Sequence, residues 1–257
     1  MCCRKLLVIL ALIFTPPIVE AQCQARVSQF ELPDYTFPYD AAFTPDGRRA
    51  LIVNRDAGNV RVLDTERLEM SAPIPVGVRP LDIEISDNGR WAVVANSGSG
   101  TISILDLANN YNVRSVALSG GEPYRLKLTV DSQSAIVGIT QPGVASRIAV
   151  VDLPSAIEVR SFPTNAHGMT RLRFYDGSDP QHGRNAYHYS DFVVSGNRLV
   201  IPWFARLNGY GGQPDYSLVS VYDLTTGELL HSITTPPYPA GVALSRDGNQ
   251  VVISHSD

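Results

Sequence analysis

Three observations predict an all-β fold, a β-propeller of stacked four-stranded antiparallel blades. Short apolar alternations such as Leu81, Ile83 and Ile85 are separated by turn phrases such as Asp87-Asn-Gly89 and Ser97-Gly-Ser-Gly100, the local signature of an antiparallel meander. The meander repeats: Pro38 to Pro80, Gly47 to Gly89 and Asp64 to Asp106 each give an offset of 42 residues, the spacing of four-stranded blades. The 257 residues are 44% hydrophobic and 18% charged, an ordinary globular composition long enough for one large all-β domain.

Taken in order, residues 1–21 read as a secretory signal. Arg4 and Lys5 precede the apolar run 6–14, Pro16-Pro17 breaks it, and Val19 and Ala21 occupy the −3 and −1 positions of a cleavage site. The run is too short to span a bilayer, which needs about 20 residues. An exported mature chain without a transmembrane segment is therefore expected, periplasmic, secreted or at the cell surface. Cys2 and Cys3 leave with the signal, so Cys23 has no intramolecular disulfide partner. Lipidation of Cys23 is the alternative, against which stands Gln22 in the preceding position.

Residues 22–37 form a lead-in with one strand at 26–32, and 38–257 form the propeller domain. The first two copies are regular. The third, from Pro123, is degenerate, with Val130-Asp-Ser-Gln133 as its first turn. The fourth starts at Phe192-Val-Val194 and is stretched by irregular insertions at 162–189 and 202–217. The fifth, from Pro239, stops at Asp257 where its third strand should begin. About four and a half blades suggest a C-terminally incomplete propeller, because a half-blade leaves an open sheet edge.

The repeat phrases are Phe43-Thr-Pro-Asp-Gly-Arg48, Ile85-Ser-Asp-Asn-Gly-Arg90, Val93-Val-Ala-Asn-Ser-Gly-Ser-Gly-Thr101, Val221-Tyr-Asp-Leu-Thr-Thr-Gly227 and Leu244-Ser-Arg-Asp-Gly-Asn249. They resemble the YVTN family of β-propeller repeats. The resemblance implies a propeller, usually seven-bladed, in an exported bacterial or archaeal protein. It implies little about chemistry, since the same scaffold carries surface-layer and binding proteins, lactonase-like enzymes and cofactor-dependent oxidoreductases. The landmark residues themselves are structural. Gly47, Gly89 and Gly248 suit a positive-φ turn position, and Asp64, Asp106, Asp152 and Asp223 suit Asx turns at the exit of each third strand.

Chemistry has three candidate places. Two and four residues on from the blade-opening Pro stand Asp82 and Glu84 in the second copy and Arg125 and Lys127 in the third. Alternation puts each pair on one side of its strand. These are either cross-blade salt bridges fixing blade order or a charged ring lining the axial channel. The interruption holds His167, Arg171 and His188; the histidines have no recognised metal-ligand spacing, and no metal is expected. The insertion in the fourth blade holds Trp203 and Tyr210 among Gly and Pro, a candidate aromatic lip for a sugar or peptide.

The net charge of −4 gives no electrostatic footprint for nucleic acid. The chain also lacks a G-x-S-x-G elbow, a P-loop, a Cys/His zinc set and a C-x-x-C-H site, so no cofactor is expected. The leading expectation is a non-catalytic scaffold that binds a small molecule, glycan or protein through the channel mouth and the fourth-blade insertions. A lactonase-like hydrolase or another propeller enzyme is the alternative, favoured if Asp82, Arg125, His167 and His188 converge.

Overall fold

The computed structural model describes residues 37–140, 146–164, 191–205, 216–236, 239–245 and 250–255, together with strands at 7–11, 26–30 and 187–188. Apart from an N-terminal pair, β1 (Leu7–Ala11) within the stretch read as a signal and β2 (Arg26–Phe30) in the lead-in, the strands form successive antiparallel sheets along the chain. The first blade is β3 (Pro38–Phe43), β4 (Arg49–Asn54), β5 (Asn59–Asp64) and β6 (Glu69–Met70), with β7 (Ile74–Pro75) also on β5. The second is β8 (Pro80–Ile85), β9 (Trp91–Asn96), β10 (Thr101–Asp106) and β11 (Asn112–Ala117). The third is β12 (Glu122–Leu128), β13 (Ser134–Thr140), β14 (Arg147–Asp152) and β15 (Ile157–Pro163).

In the fourth blade, β18 (Arg198–Ala205), β19 (Tyr216–Asp223) and β20 (Leu229–Thr234) are flanked by two short strands, β16 (Tyr187–His188) and β17 (Val193–Ser195). Both pair with β18, β16 at its far end and β17 near its start. The inner strand of this blade is thus split, where the sequence suggests a single start at Phe192. The fifth sheet has β21 (Pro239–Leu244) and β22 (Val251–His255).

A sheet of this kind hides one face only by stacking on a neighbour. One core joins the first two blades through Leu51, Val53, Ile83 and Val94. A second joins blades two and three through Trp91, Ile104, Leu126 and Val137. A third joins blades three and four through Tyr124, Ile148, Phe192 and Tyr222. In the first three blades the second strands are buried along almost their whole length, as in β9, while the outermost strands are mostly exposed, as in β20. No described helix is long and apolar enough to cross a membrane.

The turns explain the repeat phrase. Asp46 accepts from the Thr44 hydroxyl at 2.6 Å and the Arg48 N–H at 3.0 Å; Asn88 and Asp131 repeat the pattern. Gly47 and Gly89 supply the left-handed position with φ of 70° and 69°, and in the degenerate third copy Ser132 is forced into it at 59°. The exit Asp residues make the expected Asx turns: Asp64 accepts from Arg67, Asp106 from Ala108, Asp152 from Ser155, and Asp223 from Thr225 and Thr226.

Candidate functional site

Each regular inner strand opens with a bulge, and that bulge positions the charged residues. Register shifts fall between Pro38 and Asp40, Pro80 and Asp82, Pro123 and Arg125, and Pro239 and Gly241. Residues 40, 82, 125 and 241 therefore hold one column, two places in from the same face of the array. The fourth blade supplies a further member. Val193 pairs with Val200 as Glu84 pairs with Val93, so Asp191 stands where Asp82 does. Read around successive blades, the column is Asp40, Asp82, Arg125, Asp191 and Gly241.

Contacts between members run from each blade to the next. Asp40 Oδ2 accepts the Ile83 N–H at 3.0 Å. Asp82 Oδ2 accepts the Leu126 N–H at 2.7 Å, and its Oδ1 accepts from Arg125 Nη1 at 2.8 Å. One turn of the pleat further in, Lys127 Nζ donates to Glu84 Oε1 at 2.5 Å. Arg125 cannot accept a hydrogen bond, so the equivalent N–H of the fourth blade, on Phe192, is taken by Asp191 Oδ1 at 2.8 Å.

Burial separates the members of the Asp82–Arg125 pair but not of Glu84–Lys127, whose side chains are equally exposed. Asp82 is 5% exposed, while the side chains of Arg125 and Lys127 are 40% and 31% exposed. Burial pushes the Asp82 carboxyl up to about 7, and the charge of Asp40 adds to this, against the opposing pull of Arg125 and the Leu126 N–H. Burial works to lower Arg125, but Asp82, Asp191 and Asp40 together hold it raised. Lys127 is likewise raised against its burial by Glu84, with Asp191 and Asp82 behind it. Both Asp82 oxygens are engaged within the seam, so its role is to position Arg125.

The four charged residues anticipated from the sequence are thus brought together as two cross-blade pairs. His188 and Trp203 come together by strand position: His188 pairs with Phe204, the neighbour of Trp203 on β18. Trp203 also holds the ladder place of Asn96, facing Leu218 as Asn96 faces Thr101. His167, Arg171 and Tyr210 lie outside the described residues. The described ends flanking both insertions lie on the Pro80 face, since Pro163 pairs with Arg147, Arg147 with Ile139, and Ile139 with Pro123, while Ala205 pairs with Tyr216. Asp191 is the column member that sequence reasoning missed. The Asp-apolar step of Asp191-Phe192 matches Asp82-Ile83, but Tyr189 stands where the marker Pro would be.

Residues 17–150 match the family described as Cytochrome D1 heme domain. Among solved structures, the chain is similar to Kuenenia stuttgartiensis hydrazine synthase, with 19% identity and a TM-score of 0.64 over 87% of this chain and 56% of that one. It is also similar to the β-propeller domain of Myceliophteria thermophila Cps50 (Swd1), with 14% identity and a TM-score of 0.61 over 86% of this chain and 64% of that one. The chain thus spans less than two thirds of either structure. No curated protein matches the sequence. At these identities the structural likeness establishes the β-propeller fold.

Proposed function

Because the chain belongs to the cytochrome D1 heme domain family, a family of β-propellers, we propose that it is an exported binding scaffold with YVTN-type repeats. It takes a polar ligand at the channel side of the seam between the second and third blades. The blade-four segments on the same face complete the site. The observation that carries this reading is the change of sign in the inner column. Asp40 and Asp82 give way to Arg125, with Lys127 beside it, and the two half-exposed cations stand next to the blade whose inner strand is split.

The family's description names a haem, whose iron takes His, Cys, Met or Tyr as axial ligand. Among the described residues with placed side chains, His231 and His255 are exposed on outer and edge strands, and Met70 packs on the core of the first blade. Tyr124 and Tyr222 are buried between blades three and four, and burial pushes the Tyr222 hydroxyl up to about 12, which disfavours a tyrosinate ligand. No three His, Cys, Asp or Glu among the described residues could hold a metal. These residues do not fit an iron porphyrin, and the proposed binding uses none.

The test is calorimetric titration of the full chain with galacturonate oligomers, dicarboxylates and short acidic peptides, repeated with Arg125→Gln/Lys127→Gln. Binding by one of these probes that falls at least about tenfold in the variant, with its fold intact by circular dichroism, is the expected result. Binding left unchanged by the double substitution, or no binding by any of the three probe classes, overturns the reading.

A further inference from the structure

We propose that the cleft between the outermost strands of the second and third blades binds an extended acidic segment of a partner protein. The segment joins β11 as a fifth strand of its sheet. This site lies at the outer rim and uses none of the charged inner column.

The edge of β11 is the first observation. Leu118 donates its N–H to the Gly100 carbonyl, so the even-numbered residues of β11 bond to β10 and the odd-numbered ones turn away. Val113, Ser115 and Ala117 therefore direct their N–H and C=O groups outward, and no strand pairs with them there among the described residues. Native sheets usually blunt such an edge, and here the blunting covers only its end. Ser119, the next outward residue, donates its N–H to Glu158 Oε2 at 2.7 Å and its hydroxyl to Oε1 at 2.6 Å. Its C=O accepts from Arg147. The main-chain groups of the three residues before it carry no such cap among the described residues.

The cleft that this edge faces is the second observation. Ser115 and Ala117 line it from β11, and Ile157 and Val159 line it from β15, around a space of about 570 Å³, within the range of ligand clefts. Ile157 and Val159 are 57% and 58% exposed. A register shift leaves Val159 without a partner on β14, and a bulge of this kind re-aims a side chain. A strand added to β11 satisfies the open main-chain groups and covers apolar surface of β15 in one step.

Charge selects the occupant. Arg160 lines the cleft, and Arg147 borders it through Ser119 and Ser161. Arg160 donates to the Leu224 carbonyl, so both guanidinium groups are bonded to neutral oxygens. Glu158 is the single acid of the lining and is already engaged by Ser119. The cleft is thus left net positive, and a segment carrying carboxylates complements it.

The test is fluorescence anisotropy of a labelled, capped peptide of about seven alternating aspartates and valines, titrated with the full chain. Binding is expected, at least about tenfold tighter than that of the matching lysine–valine peptide. Methylation of every peptide amide nitrogen should weaken it at least about tenfold, since the added strand then donates nothing. Ser115→Pro should do the same, because the N–H lost at 115 points away from β10 and the existing ladder stays whole. Arg125→Gln/Lys127→Gln should leave this binding within about twofold, which separates the rim from the channel site. Hydrogen exchange needs no variant: the peptide should slow the Ser115 and Ala117 amides at least about tenfold. No binding, equal binding of the methylated peptide, unchanged exchange at both amides, or loss of binding in Arg125→Gln/Lys127→Gln overturns the proposal. Self-association of the chain that Ser115→Pro abolishes in sedimentation also overturns it, by giving the β11 edge to a second copy.

Discussion

The Asp40 carboxylate in the first blade accepts the Ile83 N–H of the second at 3.0 Å, a contact between side chain and main chain across two sheets. Ile83 is 4% exposed, so loss of the acceptor leaves its N–H without water. Asp40→Ala should destabilise the protein by about 1–3 kcal/mol, and Asp40→Asn, which keeps an acceptor oxygen, by less than half of that. The urea midpoint of the two variants, measured side by side, checks the order.

Charge exchange should separate the two cross-blade pairs. The Glu84 and Lys127 side chains hydrogen-bond to one another, and both are about a third exposed. Each single reversal should cost about 0.5–1 kcal/mol, and Glu84→Lys/Lys127→Glu should recover it. Asp82→Arg/Arg125→Asp should not recover, because an arginine at 82 cannot accept the Leu126 N–H. Full recovery of that second double variant in thermal unfolding would show that the ion pair alone holds the seam.

The junction of blades three and four is tightly filled. Phe192 has no exposed surface and lies in the core with Tyr124 and Tyr222. Phe192→Ala should cost about 3–5 kcal/mol. Gly138 lies under Tyr124, and an added Cβ would meet its hydroxyl at 2.7 Å and its ring carbon at 2.9 Å. Gly138→Ala should cost about 1–3 kcal/mol through displacement of that ring. Calorimetric unfolding of both variants provides the measurement.

Stability should decline on both sides of a window near pH 4–5. Asp46, Asp64, Asp131, Asp152 and Asp223 are held below the usual carboxylate range, chiefly by the hydroxyl or main-chain groups of their turns. Their contribution is present above the unfolded value of about 3.9 and is lost as pH falls through the lower folded values. Asp82 has the opposite sign. Its raised folded value means that its contribution is complete below about 3.9 and is lost as pH rises through about 7. Unfolding midpoints from pH 2 to 9 should show both slopes, and Asp82→Asn should flatten only the one between 4 and 7.

Much of this arrangement was legible in the sequence because blade-opening prolines mark the inner strands. Counting two and four residues from Pro80 and Pro123 places Asp82 and Glu84 opposite Arg125 and Lys127, as the structure pairs them. Asp191 escaped the same count because Tyr189 replaces the proline and the preceding interruption hides the period. The carboxylate bonds to Ile83 and Leu126 could not be read either. They depend on the bulge after each proline, and although the proline marks where that bulge falls, nothing in the residue types tells which main-chain N–H the acid beyond it will meet. Split pairing of β16 and β17 on one strand was hidden for the same reason: two and three residues are too few to show alternation.

The contacts from Asp40 to Ile83 and from Asp82 to Leu126 give the repeat a direction, and hence a rule of succession. A blade ending its column in aspartate can be followed by any blade that offers the matching amide, so tandem duplication of residues 38–79 or 80–121 keeps the carboxylate-to-amide contact at the new junction, although a second copy of 80–121 would set Asp82 and Glu84 beside their own copies in place of Arg125 and Lys127. Duplication of the third blade would set Arg125 before an amide that it cannot accept. The first two blades are therefore templates from which an array of this kind can lengthen. The third is a full stop, beyond which a new copy must bring its own acceptor, as Asp191 does for Phe192.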